Sequence, residues 1–184
     1  VGAPGTETNL AHFAAVFRQL DCDILALQEG VTHEWMARIA RQIGMHLATV
    51  PSPRHWPGHI LSRHPIQHSR TFSHAEPQEE TEVFSRTAGA ALIETRPGQL
   101  LWVVDVHLHP GDHDLRARET ERLRCRLAEL QQVSDRIVVL GDYNSAPGEV
   151  VHAMLASLGF VNAMASVGGG FQVTIDLLGK AQHT

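Results

Sequence analysis

Asp142 and Asn144 stand in Arg136-Ile-Val-Val-Leu-Gly-Asp-Tyr-Asn-Ser-Ala-Pro-Gly148, where the apolar run Ile137–Leu140 meets a glycine and then a carboxylate, a phenol, a carboxamide and a hydroxyl. An extended backbone sends residues two apart to the same side, so the Asp and the Asn leave the strand end together. The carboxylate can take a proton from water while the amide holds that water or a phosphate oxygen. Gly, Asp, Asn, Ser and Pro are also ordinary turn residues, and the segment alone reads first as a plain loop. Two further polar residues interrupt apolar runs. Glu29 closes Ile24-Leu-Ala-Leu-Gln-Glu29, and His107 lies near the end of Leu101-Trp-Val-Val-Asp-Val-His107. If the three strands lie side by side in one sheet, their ends converge, as strand ends do where α/β sheets build sites. A carboxylate, an imidazole and an Asp/Asn pair suit a hard divalent cation acting on a phosphate ester, because Mg²⁺ binds through one or two carboxylates plus substrate oxygens. On its own, Glu29 reads as a solvated strand end and His107 as a satisfied core histidine.

Positioning these residues falls to a mixed set of elements. Leu10, Phe13, Ala14, Phe17 and Leu20 recur at helical spacing from Asn9 to Leu20, and Thr32 to Ile43 reads as a second helix closed by Gly44. Asp23–Leu27 is a short apolar strand, and further short strands are expected at Met45–Val50, His59–Ser62 and Ser69–Ser73. Residues 74–82 read as a polar, acidic surface loop. Thr87–Glu94 and Leu100–Leu108 form a hairpin through Arg96-Pro97-Gly98-Gln99. Asp114 is the expected cap of a long helix to about Val133, with Leu123, Leu127 and Leu130 as its apolar stripe. Glu149 to Leu158 is helical with Gly159 as its stop, Gly168–Gly170 is a flexible break, and Gln172–Leu178 is a last strand. Helices interspersed with hairpin-linked strands indicate a mixed α/β sheet protein.

The 184 residues fit one domain with a real core, and 43% hydrophobic against 19% charged residues describes a soluble globular chain. A net charge of -5 and a pI near 6.2 argue against indiscriminate attraction to nucleic-acid backbones. Two cysteines cannot build a disulfide framework, so a reducing, cytoplasmic setting is the default expectation. No apolar run approaches the roughly 20 residues of a membrane span, no signal peptide is visible, and a monomer is expected. Thirteen histidines invite a search for metal sites.

Asp23-Ile-Leu-Ala-Leu-Gln-Glu29, His59-Ile-Leu-Ser-Arg-His-Pro-Ile66, Val104-Asp-Val-His-Leu108, Val138-Val-Leu-Gly-Asp-Tyr-Asn-Ser145 with Pro147, and Thr174-Ile-Asp-Leu-Leu178 occur in that order. Together they resemble successive motifs of the endonuclease/exonuclease/phosphatase superfamily, which includes deoxyribonuclease I-like nucleases, sphingomyelinases and inositol polyphosphate phosphatases. The resemblance spans about residues 9–178. It implies a four-layer sandwich of two packed mixed β-sheets flanked by helices, and Mg²⁺- or Mn²⁺-dependent hydrolysis of a phosphodiester or phosphomonoester. By the same resemblance Glu29 is the metal-binding glutamate, and Asp142 orients or deprotonates the attacking water. Asn144 contacts the phosphate and positions Asp142, and His107 donates a hydrogen bond to the phosphate. Asp176 matches an aspartate that pairs with a histidine near the family's C-terminus. Arg86 falls where members often place a phosphate-binding arginine, although a solvated arginine at a strand edge fits the sequence equally.

The chain also departs from the family pattern. No strand ending in a metal-binding Asn is visible before Asn9, and the usual Ser-Asp-His does not follow Asp176. His183 reads as a tail residue, and Asp176-Leu177 replaces the usual Asp-Tyr. The expectation is a single domain over residues 1–184, truncated at both ends. Two rivals stand beside this reading. His107-Leu-His109-Pro-Gly-Asp112-His113 is similar to the zinc motif of metallo-β-lactamase-like hydrolases, with one residue too many before Asp112. A non-catalytic relic of the phosphoesterase fold is the other. The substrate is left open among a small phosphoester, a lipid headgroup and nucleic acid. Trp56 and Trp35 can pack against substrate or fill the core, and the core is the better assignment for Trp35. The site requires Glu29, His107 and Asp142 to lie within about 15 Å of one another.

Overall fold

The computed structural model describes residues 7–73, 84–168, 173–177 and 180–183, with backbone alone at 7–8, 173–177 and 180–183. The acidic loop expected at 74–82 lies outside them. In chain order the elements are α1 (Glu7–Leu20), β1 (Ile24–Leu27), α2 (His33–Ile43), β2 (His46–Val50), β3 (Gly58–Ser62), β4 (Ile66–Thr71), β5 (Ala88–Arg96), β6 (Gln99–His107), α3 (His113–Gln131), β7 (Ile137–Asp142), α4 (Val150–Ser157), α5 (Ala163–Ser166), β8 (Val173–Leu177) and β9 (Lys180–His183).

Two sheets carry the molecule. One is antiparallel with strand order β1-β3-β2, and the other is mixed with order β4-β5-β6-β7. In the mixed sheet β6 and β7 run parallel, and their register sets His107 beside Asp142. The parallel pair needs a crossover, which α3 supplies. Side chains alternate across each strand as a pleat requires. Trp102, Val104 and Val106 face α3 and α4, where Leu123, Leu127 and Leu130 meet them. Val103 points the other way, into an apolar layer with Ala48, Val50, Ile60, Ala91 and Ile93 between the sheets. Leu10, Ala14, Met36, Ile39 and Ala40 of α1 and α2 cover the outer face of the first sheet against Leu25 and Leu61. The result is the four-layer sandwich, helices–sheet–sheet–helices. Each fully buried leucine of the α3 stripe contributes about 1.5–3 kcal/mol.

Several local expectations shift. The strand leading to Glu29 does not join the strands of His107 and Asp142 in one sheet; β1 belongs to the first sheet and β6 and β7 to the second. Convergence therefore happens across the sandwich rather than along one sheet edge. The α3 cap is Asp112, whose carboxylate accepts from the Leu115 N–H, and Asp114 sits inside the first turn. Gly44, left-handed at φ 71°, closes α2 as expected. The strand placed at Ser69–Ser73 begins earlier, at Ile66, with an irregularity in its pairing to β5. His183 belongs to β9, which pairs antiparallel with β8, so this stretch is not a tail. Of the expected Gly168–Gly170 break, Gly168 follows α5 at φ 78°, and the other two glycines lie outside the described residues.

Candidate functional site

Glu29 and Asn144 are two of the three non-glycine residues with positive φ among the described residues, at 51° and 48°. L-residues enter this region at a cost and hold it only where the surroundings enforce it, which is common at functional sites. Both sit just past strand ends, Glu29 beyond β1 and Asn144 beyond β7.

The Asp142 turn is built largely from backbone. Gly141 adopts φ 135°, and a Cβ there would collide with the Val106 carbonyl of the neighbouring strand. Only glycine lets β7 run this close to β6 while it turns out toward the site. The Asn144 N–H donates to Asp142 Oδ1 at 2.9 Å, and Asn144 Nδ2 donates to the Leu108 carbonyl at 2.9 Å. Asp142 is thus aimed by its own turn, and the turn is tied to the exit of β6. Arg116 steadies the loop leading into α4, donating to Glu149 Oε2 at 2.7 Å and to the His109 carbonyl at 2.7 Å. Glu149 Oε1 in turn accepts from the Ala146 N–H.

His107, buried at the end of β6, places Nε2 3.8 Å from Asp142 Oδ2. Arg86 Nη1 lies 3.3 Å from the same nitrogen and 3.1 Å from Glu29 Oε1. Guanidinium can only donate, so His107 Nε2 is the acceptor in this arrangement. Burial holds the imidazole below its ordinary range, and the neighbouring Arg86 charge adds to that, against the pull of Asp142 and Glu29. Successive contacts of 3.1, 3.3 and 3.8 Å therefore string Glu29, Arg86, His107 and Asp142 into one site, inside the 15 Å requirement. Arg86 is the hub of this string, not a solvated strand-edge residue. Its guanidinium also lies 5.2 Å from the ring of Trp56, which is 44% exposed at the mouth. Trp35 packs against the α1–α2 core, as expected.

Buried carboxylates brace the cluster. Glu119 accepts from the N–H and hydroxyl of Ser85, next to Arg86, and from the His109 N–H. Asp105, two residues before His107 and fully buried between the sheets, accepts from Gln28 Nε2 at 2.6 Å. Its Oδ2 has no hydrogen-bond partner. Burial pushes this carboxyl up to about 7, with the Gln28 bond pulling the other way. The Asp105–Gln28 bond joins the strand before Glu29 to the strand before His107. Sequence reasoning misses Asp105 and Gln28, although a lone Asp inside Leu101–Val106 is a usable signal.

A magnesium-type site needs few protein ligands, and Glu29 at the mouth, its side chain 42% exposed, fits that demand. In this structure the carboxylate is paired with Arg86 instead. A three-ligand zinc site does not fit, since no cluster of three His, Cys, Asp or Glu side chains is assembled among the described residues. His107 faces Arg86 and Asp142, whereas His109 Nδ1 accepts from the Gly111 and Asp112 N–H groups. His113 Nδ1 lies against Arg116 Nη2 at 2.8 Å. The zinc reading fails because the three imidazoles face different partners. The Asp176 side chain lies outside the described residues.

The chain is similar to several solved structures. A functionally unknown conserved protein from Enterococcus faecalis V583 superimposes with TM-score 0.66 at 15% identity, over 84% of this chain and 68% of that one. Truncated Caenorhabditis elegans TDP2 gives 0.58 at 18%, over 78% and 57%. The human Nocturnin catalytic domain with bound sulfate gives 0.63 at 19%, over 83% and 62%. The chain thus spans about two thirds or less of these structures' lengths, and at such identities the likeness concerns the fold. No curated protein matches it by sequence. The Endonuclease/Exonuclease/phosphatase family profile covers residues 3–180, and the chain belongs to that family.

Proposed function

We propose that this chain hydrolyses a phosphoester by in-line attack of water, with Mg²⁺ or Mn²⁺ held by Glu29. The string Glu29–Arg86–His107–Asp142 carries this reading, because it sets two carboxylates, a guanidinium and a neutral imidazole around one mouth. Asp142, its Oδ1 fixed by the Asn144 N–H, orients the attacking water and receives its proton while the P–O bond to the leaving group breaks, the departing oxygen taking a proton from solvent. Arg86 turns from Glu29 and His107 to two phosphoryl oxygens, which its planar fork suits. Once Arg86 has moved, His107 in its Nε2–H tautomer donates to the phosphate, and the second amide hydrogen of Asn144 does the same. These donors meet charge that grows in the transition state. The metal, when bound, supplies Lewis-acid polarisation of a phosphoryl oxygen. Asp176, matched by motif alone, would pair with a catalytic histidine.

The substrate class is a phosphoester, whether small molecule, lipid headgroup or nucleic acid. The net charge of -5 weighs against a protein that relies on broad attraction to duplex backbones. Free Cys22 and Cys125 suit a reducing cytoplasm, and we expect a monomer. No helix among the described residues is long and apolar enough to cross a membrane. Hydrolysis of bis-p-nitrophenyl phosphate, measured with Mg²⁺ or Mn²⁺, tests the proposal. Metal-dependent turnover abolished by Asp142→Ala supports it. Turnover unaffected by that substitution contradicts the role of Asp142, and none in the wild type contradicts the proposal and leaves a non-catalytic fold.

A further inference from the structure

Glu29 projects from a turn whose geometry is held from the neighbouring strand rather than by Glu29 itself. The Gly30 N–H donates to the Pro57 carbonyl at 2.8 Å. His59, fully buried at the start of β3, lies with Nε2 2.8 Å from the Val31 carbonyl. Its ring covers Gly30 so closely that a Cβ there would collide with ring atoms Cδ2 and Nε2. Pro57 and His59 therefore hold the Glu29-Gly30-Val31 turn in place.

The direction of each bond is dictated by the chemistry of the partners. A carbonyl only accepts, so His59 Nε2 carries its proton. Burial lowers the imidazole to about 4, against the Val31 bond that raises it and with the nearby His33 lowering it further. The ring is then neutral and Nδ1 is an acceptor. Thr49 Oγ1, 3.1 Å from Nδ1, must donate to it. A hydroxyl has one proton to give, so the Thr49 oxygen receives from His33 Nδ1 at 2.8 Å. The bonds run one way, from His33 through Thr49 and His59 to the Val31 carbonyl.

We propose that His59 is a positioning residue: locked by Thr49 as its Nε2–H tautomer, it holds the turn that keeps Glu29 left-handed and aimed at the site mouth. The proposal concerns the turn. Only its consequence for metal binding rests on Glu29 being the metal ligand.

Imidazole nitrogen NMR, amide hydrogen exchange at Gly30, and Mn²⁺ affinity by electron paramagnetic resonance test it together. The expected His59 signal is a neutral Nε2–H ring, and Thr49→Val should allow the Nδ1–H tautomer to appear. His59→Gln keeps a donor at nearly the same reach and should preserve Gly30 protection and Mn²⁺ affinity within about threefold. His59→Met removes the donor and should lower both by about tenfold or more, the scale of one lost hydrogen bond. An Nδ1–H or charged His59 ring in the wild type overturns the proposal. So does Gly30 protection that survives His59→Met. If His59→Met fails to fold, Thr49→Val decides: unchanged tautomer and unchanged Gly30 protection refute the lock. A wild type that binds no Mn²⁺, with tautomer and protection as expected, sinks Glu29 as a metal ligand and leaves the positioning role standing.

Discussion

Asp142 and Glu29 occupy opposite sides of one site, and they are held by different kinds of bond. Asp142 is aimed by its own backbone: a glycine that no other residue can replace, an N–H two residues on, and a strand register that sets it beside His107. Glu29 is aimed by side-chain bonds to distant parts of the chain: Gln28 to Asp105, His59 to Val31, and Arg86 to its carboxylate. Local backbone bonds keep their geometry whatever occupies the site. A carboxylate paired with an arginine can exchange that partner. In the proposed reaction the Asp142 side is thus pre-formed, and the Glu29 side would change partner when phosphate draws Arg86 away.

Substitutions can separate the two sides. Asp142→Ala should have the largest effect, lowering kcat on bis-p-nitrophenyl phosphate by about 10³-fold with little change in KM, because a base acting only in the transition state is lost. Gly141→Ala forces a Cβ onto the Val106 carbonyl and should cost about 3 kcal/mol in urea unfolding, with activity falling alongside. Glu29→Gln should instead raise the Mg²⁺ concentration for half-maximal rate by about tenfold or more and leave stability nearly unchanged. Equal effects of Glu29→Gln on stability and on metal demand would erase the contrast between the sides. Arg86→Lys retains charge but loses the planar fork, and should raise KM about tenfold while kcat falls less.

A separate test concerns the tie between the two sides. Asp105 has its folded pKa raised from 3.8 to about 7. The stability from its neutral form is complete below 3.8 and is lost as pH rises toward 7. Asp105→Asn keeps an acceptor for Gln28 and cannot ionise. Its unfolding free energy relative to wild type should climb between pH 4 and 7 and level off above, by about 4 kcal/mol in all. A gap that stays flat with pH would show that the Asp105 carboxyl ionises in the fold at the same pH as in the unfolded chain.

The two sides also differ in how far they can be read from the chain. The Asp142 turn is contiguous, and its chemistry is local, so Gly141, Asp142 and Asn144 are identifiable from one short segment. The α3 stripe and the Pro97-Gly98 hairpin are readable for the same reason: periodicity and turn chemistry are local properties. Glu29 shows only as the polar end of an apolar strand. Its supports come from residues 28 to 77 positions away in sequence, which no periodicity reveals. The expectation of a single sheet fails there too, since sheet membership depends on which strand β3 pairs with. Asp105 and His59 are each visible as a polar residue at or in an apolar strand, but their partners are not. Arg86 is ambiguous until Glu29 and His107 are placed on either side of it.

The central claim, that both sides serve one reaction, is tested most directly by a double-mutant cycle on kcat/KM with Glu29→Gln and Asp142→Asn, at saturating Mg²⁺. Residues acting as a unit lose activity non-additively, so the double variant should be nearly as active as the worse single one. Losses that multiply in full would mean that Glu29 and Asp142 contribute independently, and the shared site would not stand.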